Sequence, residues 1–475
     1  MMEIRIENRY CRVMQISRVE AARLSEILAV PVPGYRFMPA YRAGRWDGKR
    51  HFYRHGRFPS GFLPFIVKTW RALNRPIHAV DDRKLPHPLP VPQTDGLRDY
   101  QAAEVEKVFE TMIEIDGQVI PWIRGVIRQP TGSGKSHVAG ALIRSIGLPA
   151  LYIVERLDLL YQTADILSGY CKSVGVIGDQ QREIADVIVA TIQTLSRLDL
   201  RQEDWLARIG TLVVDEAHHV SDNRYWPVVM ACPAPYRFGI SATPLVRGDL
   251  GDVMLIGSTG DIISDVPRQP LEEAGWLAKP RVMMVRVDQP YVDDAADWQS
   301  AYNDLLVANP VRNHYICQAI VTAVRRDLPV LVLVRLLAHG EMLRALLNRM
   351  GIQATWLHGE RDARERRRAL CAFGKVGGVL IASTIFDEGV DSTAPRVLIL
   401  AGGGASRIKT IQRVGRGLRP KQGGENTLLV IDFDDQTNRY LAEHSARRRE
   451  AFIQEGLPVE LCDWPSLEEV IEKWQ

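Results

Sequence analysis

Two short segments carry the residue types needed to handle a polyphosphate. The first is Gln129-Pro-Thr-Gly-Ser-Gly-Lys-Ser136, which follows an apolar run and precedes a segment of helical pattern. Gly132 and Gly134, alternating with Thr131 and Ser133, let the backbone curl until its N–H groups face phosphate oxygens. A helix opening at Lys135 turns its positive end toward the same anion. Lys135 can reach the outer phosphates, and the Ser136 hydroxyl can ligate Mg²⁺. Such loops normally begin with glycine, and here that position is Gln129. The second segment is Leu212-Val-Val-Asp-Glu-Ala-His-His219, an apolar strand ending in two carboxylates. Asp215 suits the metal shell, and Glu216 suits positioning and deprotonating an attacking water. Alone, such a pair is often only a helix cap. Downstream of a phosphate loop it becomes a candidate ATP-hydrolysing centre.

A third segment, Gln412-Arg-Val-Gly-Arg-Gly-Leu-Arg419, places Arg416 and Arg419 close together. The fixed fork of arginine suits phosphoryl oxygens bidentately. A guanidinium supplied across a cleft stabilises transition-state charge and is typically worth about 10³–10⁵ in rate. Two domains sharing one ATP would then close on binding and open on hydrolysis.

The elements that must position these residues are legible as alternation. Apolar runs at Gly125–Arg128, Ala150–Val154, Val187–Ala190, Thr211–Val214 and Arg237–Ser241 alternate with helix-like segments. The pattern restarts at Arg281–Val287 and continues through Val330–Val334, Thr355–His358, Val379–Ala382, Val397–Leu400 and Leu428–Phe433. Buried parallel strands read as continuous apolar runs, so the expected fold is α/β with two tandem parallel-sheet domains. Domain one is expected over 97–265 and domain two over 266–435, with 244–280 as the crossing. A helical tail is expected over 436–475. The proline-rich Leu85–Pro92 marks a semi-rigid linker over 85–96, after a small α+β domain at 1–84.

The 475 residues are 46% hydrophobic and 25% charged, as in an ordinary soluble protein, and no apolar run approaches a membrane span. No membrane partner is expected. Six well-separated cysteines, with no Cys-x-x-Cys pair, suggest neither a zinc site nor a disulfide framework and fit a reducing cytoplasm. The net charge of +3 is unevenly spread: residues 1–90 hold 17 Lys/Arg against 7 Asp/Glu, and the remainder 43 against 50. Residues 35–70 hold ten aromatics and eight Lys/Arg, with Asp47 the one acid. Most of the aromatics are expected in a core. Arg42, Arg45, Trp46, Lys49 and Arg50 are candidate nucleic-acid contacts.

Together these segments resemble the motor of helicase superfamily 2 with a DEAH-type box, over about residues 97–433. Further motifs carry the likeness: Leu97-Arg-Asp-Tyr-Gln101, Ser241-Ala-Thr243, and Thr384-Ile-Phe-Asp-Glu-Gly-Val-Asp391. The resemblance implies RecA-like domains, with Gln101 reading adenine, Gln412 on the γ-phosphate or water, and Asp391 on the ribose or an arginine. It implies that His218 links the carboxylates to Ser241 and Thr243, coupling hydrolysis to movement, in the 3′ to 5′ direction. It also implies strand contacts at Arg156, Thr191 and Thr384. Phe37-Met-Pro-Ala-Tyr-Arg-Ala-Gly-Arg-Trp-Asp-Gly48 and Gly61-Phe-Leu-Pro64 are similar to the head of the phage UvsW helicases, as is Ala401–Lys409. That group remodels forks, Holliday junctions and R-loops, which implies a bacterial or phage-infected host cell.

The expected activity is that of an ATP- and Mg²⁺-dependent DNA helicase on single-stranded and branched duplex DNA. Alternatives are an RNA or RNA–DNA hybrid helicase, a double-stranded DNA translocase, and an ATP-gated clamp without strand separation. Removing residues 1–84 is expected to weaken junction binding more than basal ATPase.

Overall fold

The structure is a computed structural model that describes residues 2–221, 224–245, 248–287, 289–292, 297–359, 363–383, 395–421 and 425–474. Its contacts divide the chain into two units, Met1–Pro130 with Gly134–Val266, and Thr131–Ser133 with Pro267–Gln475.

The first unit opens with a four-stranded sheet in the order Arg57–Pro59, Tyr10–Gln15, Met2–Ile6, Ile77–Asp81. Met2, Ile4 and Ile6 alternate inward along their strand, the period-two pattern of a half-buried sheet. The helix Arg18–Ile27 begins in a capping box between Ser17 and Glu20. Helix Leu63–Ala72 buries Leu63, Ile66, Val67 and Trp70, one stripe at helical spacing. This sheet does not form a separate core. Ile113, Ile115, Ile120 and Trp122, from the hairpin Met112–Ile115/Gln118–Pro121 and the residue after it, complete it together with Met254.

Buried polar contacts fasten the same junction. The guanidinium of Arg124 donates to Thr259 O (2.7 Å), Ser258 O (3.1 Å), Asn8 O (3.0 Å) and Ser60 Oγ (2.7 Å). Arg237 donates to Ser258 O, Cys232 O and Val229 O. Both arginines are buried and meet carbonyls at the C-terminal end of helix Leu250–Ser258, where the helix dipole favours a cation. The proline-rich segment is also held: Leu85 packs on the core of the large parallel sheet, and Gln93 N–H donates to Ser145 Oγ. Arg144 donates to the carbonyls of Gln93 and Asp95.

The second sheet of this unit has eight strands. Their order is Gln181–Arg182, Val174–Gly178, Val187–Thr191, Ala150–Val154, Thr211–Asp215, Tyr236–Ser241, Gly125–Arg128, Ile262–Asp265. All neighbours are parallel except the first pair. The stretch 244–280, read from sequence as a crossing, contributes helix Leu250–Ser258 and the edge strand Ile262–Asp265.

The second unit is a seven-stranded, all-parallel sheet. Its order is Ala354–Leu357, Val379–Ala382, Val330–Leu333, Val397–Ile399, Thr427–Asp434, Lys279–Arg286, Val459–Cys462. The tail is not helical throughout. Between helices Arg439–Gln454 and Trp464–Lys473 it supplies that edge strand, and Leu467 and Ile471 enter the core. The α/β class with two parallel sheets is as expected. Among the described residues no helix is long and apolar enough to cross a membrane. The five cysteines with described side chains, Cys11, Cys171, Cys232, Cys317 and Cys462, are free.

Candidate active site

The phosphate loop leaves the Gly125–Arg128 strand, which lies between Tyr236–Ser241 and Ile262–Asp265. Gly132 and Gly134 both sit at φ 86°, the left-handed region that an L side chain resists. Helix Lys135–Ile146, which contains Ser136, starts from Gly134. Gln101 is buried, and its Nε2 lies so close that a Cβ on Gly134 would come within 2.5 Å. Its Oε1 accepts from the Arg98 N–H at 3.1 Å. The motif residue proposed for adenine thus reaches the loop.

The unusual Gln129 has a structural reason. It is fully buried, its N–H donates to Ser241 O (3.1 Å), and its Nε2 donates to Glu104. Glu104 Oε1 accepts from Ser264 Oγ at 3.0 Å. Burial pushes the Glu104 carboxyl up to about 8, against the lowering effect of its hydrogen bonds to Ser264 and Gln129. Glu104 lies one turn from Gln101 on helix Asp99–Phe109, so one helix serves both ends of the loop.

The strand Thr211–Asp215 is buried along its length and delivers Asp215 at its C-terminal end. Burial first, and then the Glu216 charge, push the Asp215 carboxyl up to about 6, opposed by Lys135. Glu216 turns at φ 44°, and its N–H donates to Asp215 Oδ1 at 2.9 Å. His218 Nδ1 lies 3.4 Å from Glu216 Oε2 and 3.0 Å from Ser241 Oγ. Ser241 Oγ also accepts from the Thr243 N–H at 3.2 Å. The carboxylate pair, the histidine and the Ser241–Thr243 turn therefore form one continuous array, buried except at the half-buried Glu216.

A hydroxyl and one buried carboxylate, beside a lysine and a glycine loop, fit a hard divalent cation held jointly with substrate phosphates. Ser136 and Asp215 are the residues that would hold Mg²⁺; Thr131 to Ser136 would cradle ATP.

His219 extends the array in a direction the sequence does not reveal. Its Nε2 is 3.0 Å from Glu155 Oε2. Burial raises the Glu155 carboxyl, but the hydrogen bond and charge of His219, with the charges of Arg156 and His218, together hold it below its ordinary value. Glu155 precedes Arg156, which occupies the N-cap of helix Leu157–Ser168 and is half-buried. His219 thus meets the residue next to Arg156, a candidate strand contact, and Glu155 feels the charge of both.

In the second unit, helix Arg407–Gly417 is capped by the Ser406 side chain, which accepts from the Lys409 N–H. Gln412 and Arg416, four residues apart, share one helix face. Gln412 is buried, Arg416 is half-buried, and half-buried Arg419 follows the C-cap Leu418. Thr384 and Asp391 lie outside the described residues.

The nucleic-acid candidates divide. Arg42 and Arg45 are exposed, and Lys49 is half-buried. Arg50 faces inward: its guanidinium lies 5.0 Å from the Trp226 ring and 5.5 Å from Phe52, and contacts Met254 Sδ. Burial and neighbouring Arg54 lower its pKa. Trp46 donates from Nε1 to Lys49 O at 2.8 Å and so braces its own turn. Thr191 is buried with its hydroxyl donating to Thr194 Oγ1 (2.9 Å), so this side chain holds the local turn rather than meeting solvent. Of the ten head aromatics, Phe52, Phe58, Phe62 and Trp70 are buried, whereas Phe37, Tyr41 and Phe65 are exposed.

Two parallel sheets, a phosphate loop, an Asp-Glu-Ala-His box and an arginine helix define an ATP-driven motor of nucleic acids. Residues 95–246 match the family described as type III restriction enzyme, res subunit, and residues 312–421 match the helicase conserved C-terminal domain. The chain belongs to superfamily 2 of the ATP-dependent helicases. It is 23% identical over 446 residues to the ATP-dependent DNA helicase uvsW of Enterobacteria phage T4, an alignment covering 87% of this chain and 86% of that one. It is 26% identical over 329 residues to helicase 22 of Sulfolobus islandicus filamentous virus, covering 63% of this chain and 58% of the relative. Among solved structures, a DNA-bound ATP-dependent type ISP restriction-modification enzyme, LlaBIII, shares the fold. Its TM-score is 0.60 at 14% identity, over 80% of this chain and 33% of that one.

Proposed function

We propose that this chain is a DNA helicase or translocase that uses ATP hydrolysis to remodel branched DNA such as forks, four-way junctions and R-loops. The observation that carries the reading is the hydrogen-bonded array from Glu216 through His218 to Ser241, beginning beside Asp215. Such an array gives hydrolysis a mechanical outlet. Bound Mg²⁺ supplies charge neutralisation of the β- and γ-phosphate oxygens. Ser136 and Asp215 would hold it, Lys135 would steady the outer phosphates, and Glu216 would orient the attacking water and take its proton. Gln412 attends the γ-phosphate side, Gln101 the adenine and Asp391 the ribose or an arginine. Arg416 and Arg419 stabilise charge as the phosphoryl group transfers. Arg156 and Thr384 grip the strand backbone, with Thr191 supporting the neighbouring turn. Arg42, Arg45 and Lys49 meet duplex or junction phosphates.

DNA is favoured over RNA by the likeness, over 87% of this chain, to a relative named a DNA helicase. The test is a panel of fork, four-way junction, R-loop, flush duplex and RNA duplex, with wild type, Lys135→Ala and Glu216→Gln. Wild type should unwind the branched DNAs, and both variants should lose DNA-stimulated ATP turnover. Preferential unwinding of the RNA duplex would make it an RNA helicase. ATP-driven movement without strand separation would make it a translocase. Turnover undiminished in Glu216→Gln would remove the catalytic assignment.

A further inference from the structure

We propose that the turn from Gly34 to Arg45 is a stacking site for an unpaired nucleobase, with Phe37 as the platform and Arg36, Arg42 and Arg45 meeting the flanking phosphates. The proposal rests on the reading that the chain acts on DNA.

The turn is an excursion between two antiparallel strands, Ala29–Pro31 and Lys49–His51. It is built rigidly. Tyr35–Phe37 forms a 3₁₀ turn and Pro39–Arg42 a helical one. The Tyr35 and Tyr41 rings meet edge to face at 4.7 Å. Gly48, at φ 79°, crosses the Tyr35 ring so closely that a Cβ would sit 2.3 Å from Cδ2. Trp46 and Arg42 tie the segment to the carbonyls of Lys49 and Arg36 at 2.8 and 3.2 Å.

Phe37 is nevertheless 76% exposed and takes no part in the core that Phe52, Phe58, Phe62 and Trp70 build. The ring thus stands in solvent on a turn whose other side chains are tied down. The Arg42 guanidinium lies 5.9 Å from the Phe37 centroid, and Arg36 lies 5.8 Å from the Tyr35 ring. Arg36, Arg42 and Arg45 are all exposed. The one acid of the segment, Asp47, is engaged by His51 Nε2 (2.7 Å) and the Lys49 N–H (3.1 Å). The tip therefore offers an exposed π-face with Arg42 beside it and Arg36 and Arg45 exposed on the same turn, while the one carboxylate of the segment is turned to His51 and the Lys49 N–H.

That combination matches a ligand with a flat face and anionic links, which is a nucleic-acid strand. Paired bases already cover one another's faces, so the ring has access to a base only where pairing ends. The turn therefore addresses the border between duplex and single strand.

The test uses full-length protein and a forked DNA with 2-aminopurine as the first unpaired base. Wild type and Phe37→Trp should quench the probe by stacking. Phe37→Ala should leave it bright and bind the fork about tenfold more weakly, the size expected when one base loses its stacking partner. Unchanged melting of Phe37→Ala, checked by circular dichroism, excludes misfolding as the cause. Quenching and affinity equal to wild type in Phe37→Ala would overturn the proposal. The double variant Arg42→Gln/Arg45→Gln is measured on the same fork. If it weakens binding while Phe37→Ala does not, the head grips DNA without stacking. If neither weakens binding while wild type still unwinds the fork, the head does not touch DNA and the helicase reading stands alone.

Discussion

His219 and Glu155 link two motifs that sequence spacing alone leaves unconnected, since 64 positions separate them. We propose that His219 acts as a positioning residue for Arg156 through Glu155, whose carboxyl feels the charge of both. His219→Ala should raise the KM for DNA in stimulated ATPase more than it lowers kcat at saturating DNA. Glu155→Gln should behave alike, and the pair should be non-additive by about 1 kcal/mol in a double-mutant cycle. Loss of kcat with an unchanged KM would instead tie His219 to the chemistry. The candidate site residues are legible because phosphate handling demands particular types at short spacing: Gly132, Gly134, Lys135 and Ser136 in one run, Asp215 and Glu216 in another. Long-range partners such as Glu104 for Gln129 leave no such trace.

At the scale of elements, burial explains what the sequence reveals. Central strands such as Ala150–Val154 and Thr211–Asp215 are buried at every residue, so they read as unbroken apolar runs. Ile262–Asp265 and Val459–Cys462 are edge strands of mixed exposure, and their four-residue patterns resemble loop. The helix Asp99–Phe109 carries a further consequence in Glu104. Its carboxyl holds a proton to about 8 in the folded chain, against an ordinary value of 4.5. The folded state is therefore favoured by this group below 4.5, and that contribution declines as pH rises until it is gone above 8. Glu104→Gln should flatten the stability–pH profile across this window, as measured by urea melts at several pH values. A profile identical to wild type would mean that Glu104 ionises freely. Arg124→Met leaves four acceptors without their donor and should destabilise the first unit by roughly 3 kcal/mol, read in the same melts.

At the scale of the whole molecule, the basic head was legible as charge but not as architecture. Its core is completed by Ile113, Ile115, Ile120, Trp122 and Met254, and the segment 85–96 is fastened rather than free. Composition cannot reveal this, because aromatics that fill a private core and aromatics that fill a shared one look alike. A chain beginning at residue 85 should therefore lose ATPase through unfolding, with a lowered melting temperature, instead of losing junction affinity alone. Charge removal isolates the head's role better. Replacing Arg36, Arg42 and Arg45 with glutamine should reduce the log–log salt slope of duplex binding by about 0.9 for each phosphate no longer neutralised. An unchanged slope would leave these arginines as solvated surface.

The position of Lys279–Arg286 in its sheet also sets a timetable for biosynthesis. This strand is the first of the second unit to leave the ribosome, yet its neighbours are Thr427–Asp434 and Val459–Cys462. Arg281 and Glu460, which pair across that edge, are 179 residues apart. The head and first sheet have all their pairing partners by Asp265, so they can fold while translation continues. The second unit must keep its first strand waiting, an arrangement that slows folding and leaves apolar backbone open to wrong partners. Nascent chains arrested near residue 440 should resist protease through 2–266 and be cut freely beyond it. Protection of 279–286 in such chains would show that a provisional partner guards the strand until its own arrive.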